Sequence, residues 1–308
     1  MPLTPSAKSI GLEKGMQMRQ PESLRVLVWR RFRKHRPAVI GLGVISAIAF
    51  LCIFVPWITN YDLLKTNVDL IREPPSATYI FGTDELGRDL FIRIWAGGRI
   101  SILIGIATMM LTIFLGTSIG GIAGFYGGQI DNVLMRLTDF VLSIPQLFLL
   151  LIFAQLLRNT NDPRLSAGPL PIIVIIGILS WTGTARLVRG QFIALKNKEF
   201  VEAARMSGAR NLHLMVRHIL PNAASPIIVS ATLRVGYAII TESTLSFLGF
   251  GVQPPTPTWG NMLKNAQSQM AYAPLTAIFP GLAILVTVLA LNYIGDVLRD
   301  AFDPYHVK

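Results

Sequence analysis

The chain has 308 residues, 52% of them hydrophobic and only 15% charged, with a mean hydropathy of +0.51. Soluble domains carry about 25% charged residues, so this composition excludes an ordinary soluble domain and points to a membrane protein. The net charge of +11 does not indicate a nucleic-acid partner, because Lys and Arg stand at the ends of apolar runs rather than in one patch, as the positive-inside rule requires.

Residues 1–23 form a polar arm rich in Pro, Ser and Gln, expected to be poorly ordered. From Leu24 to Arg36 the chain is amphipathic and basic, with Arg25, Arg30, Arg31, Arg33, Lys34 and Arg36. That pattern predicts a juxtamembrane helix against an anionic leaflet. No cleavable signal pattern is visible, and the first apolar run is long enough to stay as an anchor. It gives a first span over about Ala38 to Ile58, with Trp57 at the far interface. The one cysteine, Cys52, lies inside this run, has no intrachain partner and is read as packing.

Residues 59–98 are predicted to form a long outer loop, in which Asp62, Asp69, Glu73, Asp84, Glu85 and Asp89 outnumber Lys65, Arg72, Arg88 and Arg93. Pro74-Pro75 breaks helix there. Within Phe81-Gly-Thr-Asp-Glu-Leu-Gly-Arg-Asp-Leu90, Gly-Thr-Asp predicts a turn and helix cap with Thr83 or Asp84 accepting backbone amides. The acids are too few for a convincing cation site.

The second span, about Ile100 to Ala123, carries Gly116 and Gly120 four residues apart, a spacing that lets helices approach closely in lipid. A Gly-Phe-Tyr-Gly-Gly turn at 124–128 leads to a third span, about Asp131 to Leu157. There Arg136 and Asp139 are placed to pair and Pro145 to introduce a kink. The fourth span covers about Leu170 to Leu187.

A polar island, residues 199–221, follows. Glu202-Ala203-Ala204 predicts a short helix with acids near its N-terminus, and Gly208 a left-handed stop. A second short helix is expected from about Leu212 to Ile219, with Leu212, Met215, Val216 and Ile219 on one apolar face. Pro221 fixes the start of the next segment. Arg186, Arg189, Lys196, Lys198, Arg205, Arg210 and Arg217 face only Glu199 and Glu202 as opposing charges, which places this elbow in the cytoplasm. Such an elbow suits docking into a groove on a partner protein.

The fifth span, about Pro221 to Phe250, holds Arg234 and Glu242 eight residues apart, on roughly one face. Charges at that depth cost a few kcal/mol unless paired or wetted. They line a water-filled pathway, or form a structural ion pair, or Glu242 reaches the outer interface. After Gln253-Pro-Pro-Thr-Pro-Thr-Trp-Gly260, a sixth span runs about Leu275 to Val297. Trp259 is expected in the interfacial belt, the alternative being a plug in a vestibule. The reading is six spans, all helical, with both termini cytoplasmic.

These residues carry a family resemblance. Glu202-Ala203-Ala204, Gly208, Leu220 and Pro221 resemble the coupling loop of permease subunits in bacterial ATP-driven (ABC) importers, with His218 in a slot that the general pattern fills with Ile. The stretches 81–89, 253–260, Gly295-Asp-Val-Leu-Arg-Asp300 and Asp303-Pro304 resemble the C-type permeases of dipeptide, oligopeptide and nickel importers. The resemblance covers about residue 24 to the end. It implies a type I importer permease fold with an extra N-terminal span, dividing the chain into a polar arm (1–23), a basic helix, first span and outer loop (24–98), a five-span core (99–300) containing coupling loop 196–221, and a tail (301–308). It also implies a bacterial inner-membrane location, a B-type permease forming the other half of the pathway, two ATP-binding subunits and an extracytoplasmic solute-binding protein. Glu202 and Arg205 would then make polar contacts with an ATPase. The chain lacks a phosphate-binding loop of its own, so ATP and Mg are expected on partner subunits, with no cofactor bound here and no nucleic acid.

The resemblance implies peptide as solute, with nickel or another small solute as the alternative. An ion-coupled secondary transporter would need more deep charges than Arg234 and Glu242. An intramembrane enzyme would need a nucleophile or metal constellation, yet His35, His213, His218 and His306 all lie near the inner surface.

Overall fold

Glycines in the second predicted span set the packing of the bundle. The computed structural model describes residues 33, 35–59, 63, 65–160, 162 and 168–302. The expected basic helix before the first span and the Asp303-Pro304 stretch fall almost wholly outside these. Among the described residues every regular element is helical, with one isolated bridge between Thr83 and Asp89. The long helices are α1 (Arg36–Ile58), α2 (Leu90–Tyr126), α3 (Gly128–Ser143), α4 (Gln146–Arg158) and α5 (Pro169–Leu195). The short α6 (Glu199–Met206) and a second elbow helix follow, then α7 (Ala224–Phe247), α8 (Trp259–Ala266) and α9 (Leu275–Phe302).

Five helices are long and apolar enough to cross a bilayer, and α3 with α4 make a sixth span if the bent pair counts as one. The expected kink at Pro145 is a break: the two halves meet at 85°. Proline cannot donate to the carbonyl four residues back, and Ile144 and Pro145 take extended conformations between the two helices.

Helix α2 is longer than the span predicted. Its 37 residues reach about 55 Å at 1.5 Å per residue, against a hydrocarbon core of about 30 Å. The surplus stands in a polar lobe at one end of the bundle. Along the rest of α2, Gly116, Gly120 and Gly124 lie directly on α5: a Cβ at Gly120 would overlap the Ala185 carbonyl oxygen, and one at Gly124 would sit 2.7 Å from that of Arg189. The small residues thus bring two backbones together, and dispersion contacts hold them where lipid offers no hydrophobic drive.

Asp131 and Asp139 do not pair along their own helix. Arg189 Nε donates to Asp131 Oδ1 at 2.5 Å and Arg186 to Asp139 at 2.5 Å, so α3 is fastened to the end of α5, while Arg136 is exposed. Lys196 donates to the carbonyl oxygens of Gly124 and Phe125 and satisfies the open C-terminus of α2. These contacts define the elbow end of the bundle.

At the lobe end, Asp84 is a hub rather than a helix cap. Its carboxylate accepts the Leu86 and Arg88 amides and pairs with Arg88 Nε at 2.7 Å and Arg93 Nε at 3.1 Å. Glu85 joins Arg88 to Asn265, and Arg72 reaches Gln269. The cap of α2 is Asp89, which accepts the Ile92 amide. Burial pushes the Asp89 carboxyl up from its ordinary range, against amide hydrogen bonds from Ile92 and Phe91.

Trp259 is not in an interfacial belt. It is fully buried, its indole N–H donates to the Ile94 carbonyl at 2.9 Å, and its ring fills the hole left by Gly98 beside Cys52. A large amphipathic ring is buried at low cost once its one donor is satisfied.

Candidate functional site

The elbow is built from α6 and a second helix joined by a two-bond turn. Glu199 and Glu202 fall in the first turn of α6 and Arg205 in its last, which matches the helix dipole at both ends. At its C-terminus the Gly208 amide donates to Arg205 and the Ala209 amide to Ala204, with Gly208 at φ +85°. These are the paired bonds of a Schellman cap, and the left-handed residue in it is glycine because a Cβ would crowd the following carbonyl.

The second elbow helix runs through Asn211–His213, a π turn over Leu214–Ile219, and Leu220–Asn222. The π turn is where Pro221 requires it. Pro221 lacks the amide that would reach Arg217, and just before it the Leu220 amide bonds Met215, five residues back. Widening the turn moves the ring away from the carbonyl it would otherwise strike.

The predicted apolar face of this helix divides in two. Of the four predicted residues Ile219 turns inward and Met215 is half-buried. Leu214, which the predicted face did not include, is buried beside Ile219, and with Val201, Ala223 and Ile227 they form one cluster with Val188 and Phe192 of α5. Leu212 and Val216 turn outward, 71% and 55% exposed, beside Met206 at 90% and Phe200 at 40%. The elbow is therefore anchored to α5 and α7 by one set of apolar residues and offers another to solvent. Phe200 and Met206 carry no sequence signal of this role because they lie on the first helix and at the turn, outside the periodic stretch.

The residues singled out by sequence are distributed unevenly over the elbow. Glu202, Ala203, Arg205, Gly208 and Pro221 are exposed; Ala204, His218 and Leu220 are half-buried. The His213 and His218 rings lie 5.5 Å apart, centre to centre, and the Asn222 amide donates to the His218 carbonyl. No three metal-ligating side chains converge among the described residues.

Arg234 and Glu242 are not brought together. Eight residues of helix leave about 80° between two side chains, and here the difference decides. Glu242 is fully enclosed between α7, α8 and α2, where Ser246 and Thr258 donate to its Oε1 at 2.7 and 2.9 Å. With no surface exposed in this chain, it holds α8 in place through Thr258. Arg234 lies instead against Gly183 of α5.

Comparison with known proteins identifies the family. Residues 116–305 match the family described as binding-protein-dependent transport system inner membrane component, and residues 23–75 match the N-terminal TM domain of oligopeptide transport permease C. The oligopeptide transport system permease protein OppC of Bacillus subtilis is 41% identical over 274 residues, covering 89% of this chain and 87% of that protein. The glutathione transport system permease protein GsiD of Pectobacterium atrosepticum is 41% identical over 278 residues, 90% and 89% of the two chains. The dipeptide transport system permease protein DppC of Alkalihalophilus pseudofirmus is 38% identical over 276 residues, 90% and 88%. Among solved structures, inward-facing MetNI methionine ABC transporter aligns over 68% of this chain and 97% of its own with a TM-score of 0.50 at 19% identity, a likeness of fold. The chain belongs to the binding-protein-dependent transport system inner membrane components and is a multi-pass ABC importer permease of the oligopeptide permease C type.

Proposed function

We propose that this permease forms one half of the translocation pathway of a peptide importer, and that its elbow is the joint through which ATP hydrolysis in a separate subunit moves the helices. The supporting observation is the divided apolar surface of the elbow. Val201, Leu214 and Ile219 weld it to α5 and α7, while Phe200, Met206, Leu212 and Val216 stay exposed, although soluble surfaces seldom display such a patch without a partner. A groove on an ATPase that grips the exposed set displaces the welded set, and α5 and α7 follow as rigid levers because packed interiors transmit rather than absorb a shift.

The excess of Lys and Arg around the elbow supports a cytoplasmic position for this end and an outer one for the acidic lobe. The pathway is completed by a B-type permease, two ATPases bind the two elbows, and a solute-binding protein delivers to the lobe. Peptide is the solute class favoured by relatives named for oligopeptide, glutathione and dipeptide transport. The test is uptake of radiolabelled peptide by vesicles containing the four kinds of subunit. Uptake is expected with ATP and not with a proton or sodium gradient alone; gradient-driven uptake without ATP would contradict the reading.

A further inference from the structure

The break between α3 and α4 places polar groups near the middle of the bundle. Gln146, the first residue of α4, donates to Ser180 Oγ of α5 at 2.9 Å and accepts from Tyr237 Oη of α7 at 2.8 Å. One turn before Tyr237 on α7 stands Arg234, half-buried, with its guanidinium so close to Gly183 that a Cβ there would lie 2.6 Å from Nη2. Gly183 is thus the recess that admits the guanidinium. Arg234 has no acidic partner and no hydrogen-bond acceptor among the described residues, whereas the other half-buried or buried arginines of the spans and lobe, such as Arg88, Arg93 and Arg189, are engaged by Asp or Glu. Within a membrane span an arginine is costly to retain and marks function by default, and its planar fork fits a carboxylate in bidentate fashion.

Arg234 and Tyr237 adjoin a stripe of α7 that the chain leaves open: Leu233, Tyr237, Ile240, Thr244 and Phe247 are all exposed. In transporters the N-termini of broken helices hold anionic groups near the midplane, and here an unsatisfied cation beside an open stripe adds charge of the same sign next to the start of α4. Resting on the peptide-import reading above, we infer that Arg234, set by Gly183 and flanked by the Tyr237–Gln146–Ser180 chain, is the subsite that receives the carboxylate of the passing peptide. Tyr237 and Gln146 are positioned to hydrogen-bond the peptide backbone beside it, and Glu242, buried elsewhere, takes no part. A carboxylate could also come from a side chain of the neighbouring permease, and the test separates the two sources.

The assembled importer is placed in vesicles with ATP and given radiolabelled trialanine, with a photo-crosslinking amino acid at Ile240. The parent is expected to import trialanine and to capture its label at 240. R234Q should lower uptake about tenfold or more and abolish capture, since a charge-assisted contact is lost. R234K should keep a substantial part of both, and Gly183→Ala, which displaces the guanidinium without removing its charge, should fall between. Unchanged trialanine uptake by R234Q, or capture at 240 of the neighbouring permease or lipid alone, would overturn the subsite. A parent complex that imports no trialanine at all would instead overturn the peptide reading.

Discussion

Gly208 and Glu242 are the residues at which single atoms decide most. At Gly208 the space beyond Cα is open, with no atom within 4 Å of the point where a Cβ would stand, so any substitution is judged by φ alone. Valine at φ +85° costs about 1–2 kcal/mol or more, whereas asparagine tolerates the left-handed region. Gly208→Val is therefore expected to leave the protein in the membrane while uncoupling ATP hydrolysis from uptake, and Gly208→Asn to retain most coupled transport. Equal transport by both would remove the Schellman turn from the mechanism. At Glu242 the decisive atoms are the Ser246 and Thr258 hydroxyls that donate to it. Glu242→Gln keeps an acceptor for them and is expected to unfold near the parent's temperature in detergent. Glu242→Leu leaves two buried donors unpaired and should lose about 2 kcal/mol. If the glutamine variant were as unstable as the leucine one, charge rather than hydrogen bonding would be holding α8.

At the scale of elements, the α2–α5 contact carries the bundle. Gly120→Val would drive side-chain atoms into the Ala185 backbone, and overpacking of this kind costs about 1–3 kcal/mol. Gly190→Ala on α5, where nothing lies within 4 Å, should be neutral or slightly stabilising. Thermal unfolding of the two variants in one detergent checks the contrast, and equal losses would mean that the close approach is not what stabilises the pair. The sequence disclosed the glycine spacing but not its partner, because helix pairing in lipid is chosen by shape and not by any periodic signal. The same boundary runs through the rest of the chain. The number and order of the apolar segments were legible, since apolar length is a local property, although α2 runs well past the predicted span and the third span is broken in two. The depth of Trp259 was not: it depends on a hole at Gly98 and an acceptor at Ile94, both far away in the chain. Asp131 and Asp139 find their partners on α5 rather than nearby for the same reason. In the elbow, helix, glycine stop and proline could all be read, but the sorting of Leu212 and Val216 outward from Leu214 and Ile219 needed the position of α5.

For the whole molecule, the geometry describes a force path rather than a reaction centre. The elbow is fixed to α5 and α7, α5 is fixed to α2 and α3 by glycine contacts and by Arg186 and Arg189, and α2 runs on into the lobe where Asp84, Arg88 and Arg93 lock its first turns. Movement at the elbow can thus reach the opposite end of the bundle through the unbroken α2, bypassing the break at Pro145, which lies between α3 and α4. Weakening the lobe by Gly87→Ala, where a Cβ would overlap the Asn67 carbonyl oxygen, is expected to lower uptake while leaving the ATPases attached. Co-purification alongside an uptake assay would show this, and lost attachment would place the lobe in assembly instead. The most direct measurement concerns the elbow itself. With a photo-crosslinker in place of Met206 in the assembled transporter, a crosslink to the ATP-binding subunit is expected, its yield changing when ATP is bound; crosslinking only to lipid or to the solute-binding protein would rule out the elbow as the joint.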